Sequence, residues 1–156
     1  MSTLLLALAV VSTGLYAGMM LIFLTGIMPA LARVDDEQFV TAMRRINEDV
    51  PRGVFVTTMF ASVLFPVAAL VVGPDGGRTA TQLWLLIGGL ALTVLNHAVT
   101  AGGNIPLNNA LAASETAGTP DAEVRAAFEP RWNRLHGLRT LLAVAGFALL
   151  VAGALA

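Results

Sequence analysis

The sequence predicts an all-α integral membrane protein, an antiparallel four-helix bundle with two short cytoplasmic helices. Three observations lead there. Of 156 residues, 56% are hydrophobic and only 12% are charged, about half the charged share of an ordinary soluble domain. The mean hydropathy is +0.77. The charges are also segregated: nine lie between Arg33 and Arg52, two are Asp75 and Arg78, and eight lie between Glu115 and Arg139. The stretches between them carry no Asp, Glu, Lys or Arg. A span needs roughly 20 apolar residues, and without water to satisfy its backbone only a helix or a closed barrel can cross. Alternating barrel patterning is absent, so spans are expected near 4–28, 54–73, 82–102 and 136–155, in one domain covering 1–156.

The first stretch has no basic start and is too long for the apolar core of a cleaved signal, roughly 7–15 residues. It is expected to be a retained span. Within it, Gly14-x-x-x-Gly18, with Gly26 beyond, suggests close helix packing. Tyr16, Met20 and Phe23 read as core or lipid-facing positions, and Met28-Pro29-Ala30-Leu31 closes the helix.

Between spans one and two, Asp35 can cap a helix, Gln38 can close a capping box and Val34 can staple against Phe39. Phe39, Met43, Ile46 and Val50 recur at helical spacing, which predicts a short amphipathic helix on the membrane or on the bundle. Asn47 and Pro51 lead into span two, where Pro66 is expected to kink the helix. Between spans three and four, Thr119 is expected as a cap with Pro120 at the first helical position, and Pro130 is expected to end that helix before Trp132.

Four arginines fall in each long charged segment and one in the hairpin between spans two and three. Positive charge favours the cytoplasmic side, so both long segments are expected inside the cell and both termini outside, in the plasma (inner) membrane. The expected partners are the lipid bilayer and a small hydrophobic ligand, with a homo-oligomer open. A net charge of -1 carries no nucleic-acid footprint. Without cysteine there are no disulfides, thiolate metal sites or cysteine nucleophiles, and without lysine there is no Schiff-base chemistry. Two histidines without a third ligand make a thin heme or metal site, so neither metal nor cofactor is expected.

Polar groups within a bilayer need partners and point to function. The richest stretch is Asn96-His97 through Asn104-Ile105-Pro106-Leu107-Asn108-Asn109. On a straight helix His97, Asn104 and Asn108 would share a face. Pro106 disfavours such a helix, and one reading makes Asn104 the cap of a restart. His97 is expected to pair with Asn96, Thr100 or a carbonyl. Span four opens with Trp132, His136 and Arg139 on one side of the helical wheel. Trp132, Arg131 and Arg134 fit an interfacial belt with snorkelling arginines. Arg139 lies deeper and wants a carboxylate or a set of carbonyls, and Asp35, Glu48 and Asp49, on the same side, are candidate partners. In an antiparallel bundle Pro29, Asn47, Asn104, Asn108, His136 and Arg139 should meet at the cytoplasmic mouth.

At these residues the sequence resembles the DUF1772, or anthrone oxygenase-like, family of small four-helix membrane proteins. The resemblance is carried by Gly18, Met28-Pro29-Ala30-Leu31, Phe39, Met43, Ile46-Asn47, Asn104-Ile105-Pro106-Leu107-Asn108-Asn109-Ala110-Leu111, Trp132 and Leu138-Arg139-Thr140. Where that family typically reads tryptophan-asparagine, this chain has Leu135-His136. The resemblance implies a cofactor-independent oxygenase acting on a flat phenolic or anthrone-type substrate with dioxygen. His136 and Arg139 would be catalytic, as base and oxyanion partner, and Asn47, Asn104, Asn108 and Trp132 would bind substrate. The alternative is a non-enzymatic membrane module, an accessory subunit or a binder of quinone or lipid headgroups.

Overall fold

The computed structural model describes residues 2–156. Among the described residues there is no strand, and five helices make up the fold: α1 (Ser2–Leu31), α2 (Asp36–Asp49), α3 (Gly53–Val71), α4 (Ala80–Ala117) and α5 (Asp121–Leu155). All except α2 are long and apolar enough to cross a membrane. Their outer faces expose Leu15, Phe60, Leu64, Trp84 and Leu141. So much contiguous apolar surface suits lipid and would be a liability in water. The chain is an integral membrane protein.

The four long helices form a ring in which α1 packs on α3 and α5, and α4 packs on α5 and α3. Between α1 and α3, Ser12 reaches the Ala61 carbonyl and Tyr16 lies against Phe55. Between α4 and α5 the partners are Leu86 with Gly153, Gly89 with Gly146, Asn96 with Arg139 and Asn104 with Trp132. In both pairs residue numbers rise along one helix as they fall along the other. The tightest crossing is between glycines: a Cβ built on Gly89 would stand 2.9 Å from the Gly146 carbonyl oxygen. The Gly14–Gly18 motif contributes less. Gly14 meets the Phe147 side chain, while a Cβ at Gly18 would meet nothing within 4 Å.

Two helices that hold a proline near their middle or end continue through it by a device the sequence did not announce. In α1 a π-helical turn at Phe23–Ile27 precedes Pro29, and in α4 one at Thr100–Asn104 precedes Pro106. There the backbone N–H groups of Met28 and Ile105 donate five residues back, to Phe23 and Thr100. Widening the turn accommodates a ring that would otherwise clash with the carbonyl four residues before it. Pro106 therefore does not restart the helix, and Asn104 makes no side-chain cap. Pro130 likewise fails to break α5, which runs unbroken past it. Val124 and Phe128 before it and Trp132 after it are buried in one apolar cluster, so tertiary packing holds the helix on both sides.

The long charged segment near 115–139 consequently forms no separate short helix. It is the extension of α4 to Ala117 and the first turns of α5, joined at Gly118, whose φ of +66° suits glycine. Pro120 rather than Thr119 occupies the cap position, without a side-chain bond. The other segment does form the amphipathic helix α2. The Asp35 carboxylate accepts from the Gln38 N–H at 2.8 Å, and Phe39, Val40 and Met43 are buried against Met28, Leu111, Phe128 and Trp132.

Two arginines pin α2 across one end of the bundle. Arg44 donates to the Leu111 carbonyl (3.2 Å) and Ser114 hydroxyl (2.8 Å) of α4. Arg125 of α5 pairs with Glu129 (2.7 Å) and Asp36 (3.1 Å), donates to the carbonyls of Val34 and Ala32 just after α1, and stacks on Phe39. One guanidinium thus ties together three helices.

Candidate functional site

Beneath α2 lies a cavity of about 180 Å³, lined by α1 (Met20, Phe23), the start of α3 (Phe55, Val56, Met59), α4 (Thr100, Ile105, Asn108) and α5 (Trp132, Arg139). The end of α2 and the turn after it, Ile46 through Pro51, close it from above. A larger cleft of about 350 Å³ lies between the end of α4 and the start of α5, lined by Leu107, Leu111, Val124 and Phe128. The smaller cavity is the better candidate because the buried cation opens onto it. Of the residues singled out from the sequence, Asn47, Asn108, Trp132 and Arg139 line its wall. Asn104 and His136 are fully buried and lie off it. Met20 and Phe23, expected as core or lipid-facing, belong to the wall.

Arg139 is 8% exposed and has no carboxylate partner. The three acids expected to serve it are occupied at the surface: Asp35 caps α2, Glu48 pairs with Arg45 and Asp49 with Arg52. They belong to α2 and its cap, which closes the cavity with Ile46, Asn47 and Val50 instead of its acids. Neutral groups hold the guanidinium. Nε donates to His136 Nδ1 at 3.0 Å, one terminal nitrogen reaches the Thr100 hydroxyl at 3.4 Å, and the group stands 5.3 Å from the Trp132 ring centre. Among the described residues the other terminal nitrogen has no protein acceptor.

The hydrogen inventory of His136 follows from its neighbours. Nδ1 accepts from Arg139, so it carries no proton, and Nε2–H donates to the Met20 carbonyl at 3.1 Å. Both nitrogens are spent. The ring also stacks on Trp132, 4.7 Å between centres and 15° between planes. This departs from the expected base, because α5 turns His136 toward α1 and leaves no free lone pair facing the cavity.

Trp132 is 2% exposed, stacked between Phe128 and His136, and donates its indole N–H to Asn108 Oδ1 at 2.9 Å. It is a buried wall and not an interfacial belt residue; the adjacent Arg131 and Arg134 are exposed. Since Asn108 Oδ1 faces the indole, its NH2 is the end left for a ligand. Asn47 Nδ2 is buried without a partner on the same wall. Asn104 donates to the Trp132 carbonyl at 3.3 Å and is a brace for α5.

His97, Asn104 and Asn108 do not share the face that a straight helix would give them, in keeping with the departure from straightness expected at Pro106. Asn96 and Asn104 face α5, Asn96 donating to the Arg139 carbonyl and accepting from the Tyr16 hydroxyl at 3.1 Å. On a straight helix eight residues would leave these two about 80° apart. The wide turn at Thr100–Asn104 winds less per residue and brings them back into line. His97 faces α3, where its Nε2 lies 3.2 Å from the Ser62 hydroxyl. Tyr16, Asn96 and Thr100, which position Arg139, were not singled out as site residues. Asn96 opens the polar stretch that the sequence marked, but there it was weighed only as a partner for His97, and Tyr16 was read as core or lipid-facing.

No curated protein and no solved structure matches the chain. A family model does, that described as "Anthrone oxygenase", over residues 39–149. The match takes in all but the first turn of α2, the roof of the cavity, and the wall residues Asn47, Asn108, Trp132 and Arg139, and leaves out α1. Covering well over half of the sequence, it shows that the chain belongs to the anthrone oxygenase family.

Proposed function

We propose that the protein is a membrane-embedded, cofactor-independent oxygenase that uses dioxygen to oxidise a flat phenolic or anthrone-type substrate in the cavity beneath α2. The observation that carries this reading is a buried guanidinium without a counter-charge, on an apolar wall that also presents an unpaired amide donor at Asn47 and the NH2 of Asn108. An isolated buried charge costs several kcal/mol, of order, and an anionic oxygen on an aromatic ring system would offset that cost. An anthrone becomes such an anion on losing one methylene proton, because the product is fully aromatic.

The chemistry then balances with dioxygen alone. A methylene C–H bond breaks and its electron pair passes to the ketone oxygen, held by Arg139, Asn47 and Asn108. The electron-rich carbon adds dioxygen, and the peroxide takes up one proton to give a hydroperoxide. Loss of the second C–H proton with cleavage of the O–O bond releases water and leaves the quinone carbonyl. Trp132 supplies a flat wall, while His136 and Thr100 position the guanidinium. Anthrone consumption in membranes, corrected for spontaneous air oxidation, is expected to exceed that of membranes lacking the protein and to use one dioxygen per anthrone. No acceleration by folded protein would sink the reading and favour a binder of quinone or lipid headgroups.

In the bilayer the chain is read as an antiparallel four-helix bundle, with α2 and the α4–α5 junction in the cytoplasm and both termini outside. A reporter active only outside the inner membrane should be active at either terminus and silent at Gly118. The reverse pattern would overturn this orientation.

A further inference from the structure

We propose that His97 is the proton acceptor of the reaction, reached by a substrate that spans two adjoining cavities; this rests on the oxygenase reading above. The second cavity, of about 350 Å³, lies between α3 and α4, opens outward at Phe60 and Leu64, and shares Met59, Thr100 and Ile105 with the first. Its remaining wall is apolar except for His97. Neither cavity is lined by Asp or Glu, and both nitrogens of His136 are engaged.

The proton on His97 can be placed from its partner. The single hydrogen of the Ser62 hydroxyl is donated to the Met59 carbonyl at 2.7 Å, since a carbonyl can only accept. Toward His97 the Ser62 oxygen must therefore accept, so the ring proton sits on Nε2, 3.2 Å away. Nδ1 then carries an unshared lone pair, and it is buried without a hydrogen-bond partner. His97 lines the second cavity and is only partly buried; to meet a substrate there Nδ1 must turn out from its buried position, which also draws Nε2 away from Ser62.

Size and substrate chemistry agree with this placement. At about 180 Å³ the first cavity falls below the roughly 300–1,000 Å³ of ordinary ligand pockets, and the adjoining space removes the shortfall. In an anthrone the ketone and the reacting methylene stand on opposite sides of the central ring. With the oxygen at Arg139, the methylene lies a ring's width away, and a substrate that extends past Thr100, whose hydroxyl is 3.4 Å from the guanidinium, carries it into the second cavity beside His97. The C–H bond breaks, its electrons pass to the oxygen at Arg139, and the proton goes to Nδ1, giving an imidazolium. That imidazolium returns the proton to the peroxide formed with dioxygen, restoring neutral His97.

Deuterium exchange into the methylene of anthrone without oxygen isolates this step. Purified protein in vesicles is expected to speed exchange above protein-free vesicles, and His97→Gln to lower the enhancement by about 10²-fold or more, while anthraquinone binding is kept. If wild-type protein gives no enhancement, the oxygenase reading and this inference fall together. If wild-type exchanges and His97→Gln exchanges equally fast, only the role of His97 is overturned. Should His97→Gln not fold, His97→Asn replaces it, and undiminished exchange there overturns the role equally.

Discussion

Arg139→Lys is expected to leave the helices assembled and to cut anthrone turnover by roughly 10²–10³-fold, the loss typical of removing one oxyanion donor. Lysine keeps the positive charge but not the planar fork. One ammonium cannot hold His136 Nδ1 and Thr100 through two nitrogens, as Arg139 does, and still present a third to the cavity. Arg139→Ala is expected to lose activity and also to lower the melting temperature in detergent. Truncation strands the acceptor on His136 and removes the group stacked on Trp132, and an unsatisfied buried polar atom costs about 1–3 kcal/mol. The comparison separates roles: a purely structural arginine would show parallel losses of stability and activity in both variants. Full activity in Arg139→Lys and in Asn108→Ala, with unchanged stability, would remove this cavity as the active site.

The second large effect is expected away from the cavity, where α4 crosses α5 at Gly89 and Gly146. A Cβ at Gly89 would lie 2.9 Å from the Gly146 carbonyl oxygen and 2.7 Å from Leu150 Cγ. Backbone cannot swing aside as a side-chain tip can, so Gly89→Val must push α4 away from α5. Overpacking of this kind costs about 1–3 kcal/mol, and because α5 carries Trp132 and Arg139, activity should fall with the melting temperature. Gly137→Ala is the matched control. A Cβ there meets nothing within 4 Å, and alanine favours a helix over glycine by up to about 1 kcal/mol. It should be neutral or slightly stabilising. Equal melting temperatures for Gly89→Val and the wild type would show that the two helices do not cross at these glycines.

The four spans and part of the cavity wall were legible in the sequence, but the Gly89–Gly146 crossing was not, since the sequence pointed to Gly14 and Gly18 instead. Absence of charge over four long stretches requires helices in lipid whatever their packing, because backbone groups there can only be satisfied within the segment. The cap at Asp35 and the buried stripe of Phe39 and Met43 on α2 follow equally from local chemistry. So does the interest of Asn47, Asn108 and Arg139, polar groups near the ends of apolar helices on one side of the bundle. Local chemistry read Trp132 as an interfacial residue, and only the family resemblance marked it for the site.

What the sequence determined by itself, then, was the four apolar spans, the amphipathic roof and which polar residues lie near the span ends. Only the tertiary structure decided which way those residues face. Pro130 ends a helix by local rules, yet α5 continues because Val124, Phe128 and Trp132 are buried around it. Pro106 predicts a break, yet a π-helical turn absorbs it and rotates Asn104 onto the face of Asn96, leaving His97 to Ser62. His136 reads as a base, but its lone pair is taken by Arg139 and its proton by Met20. Arg139 reads as a buried cation in want of a carboxylate or carbonyls, yet the acids on its side of the chain are held at the surface by nearer partners. Rotation by one residue, or a hydrogen bond to another helix, moves a side chain from wall to brace. Such choices depend on contacts between segments far apart in sequence, which local spacing does not encode.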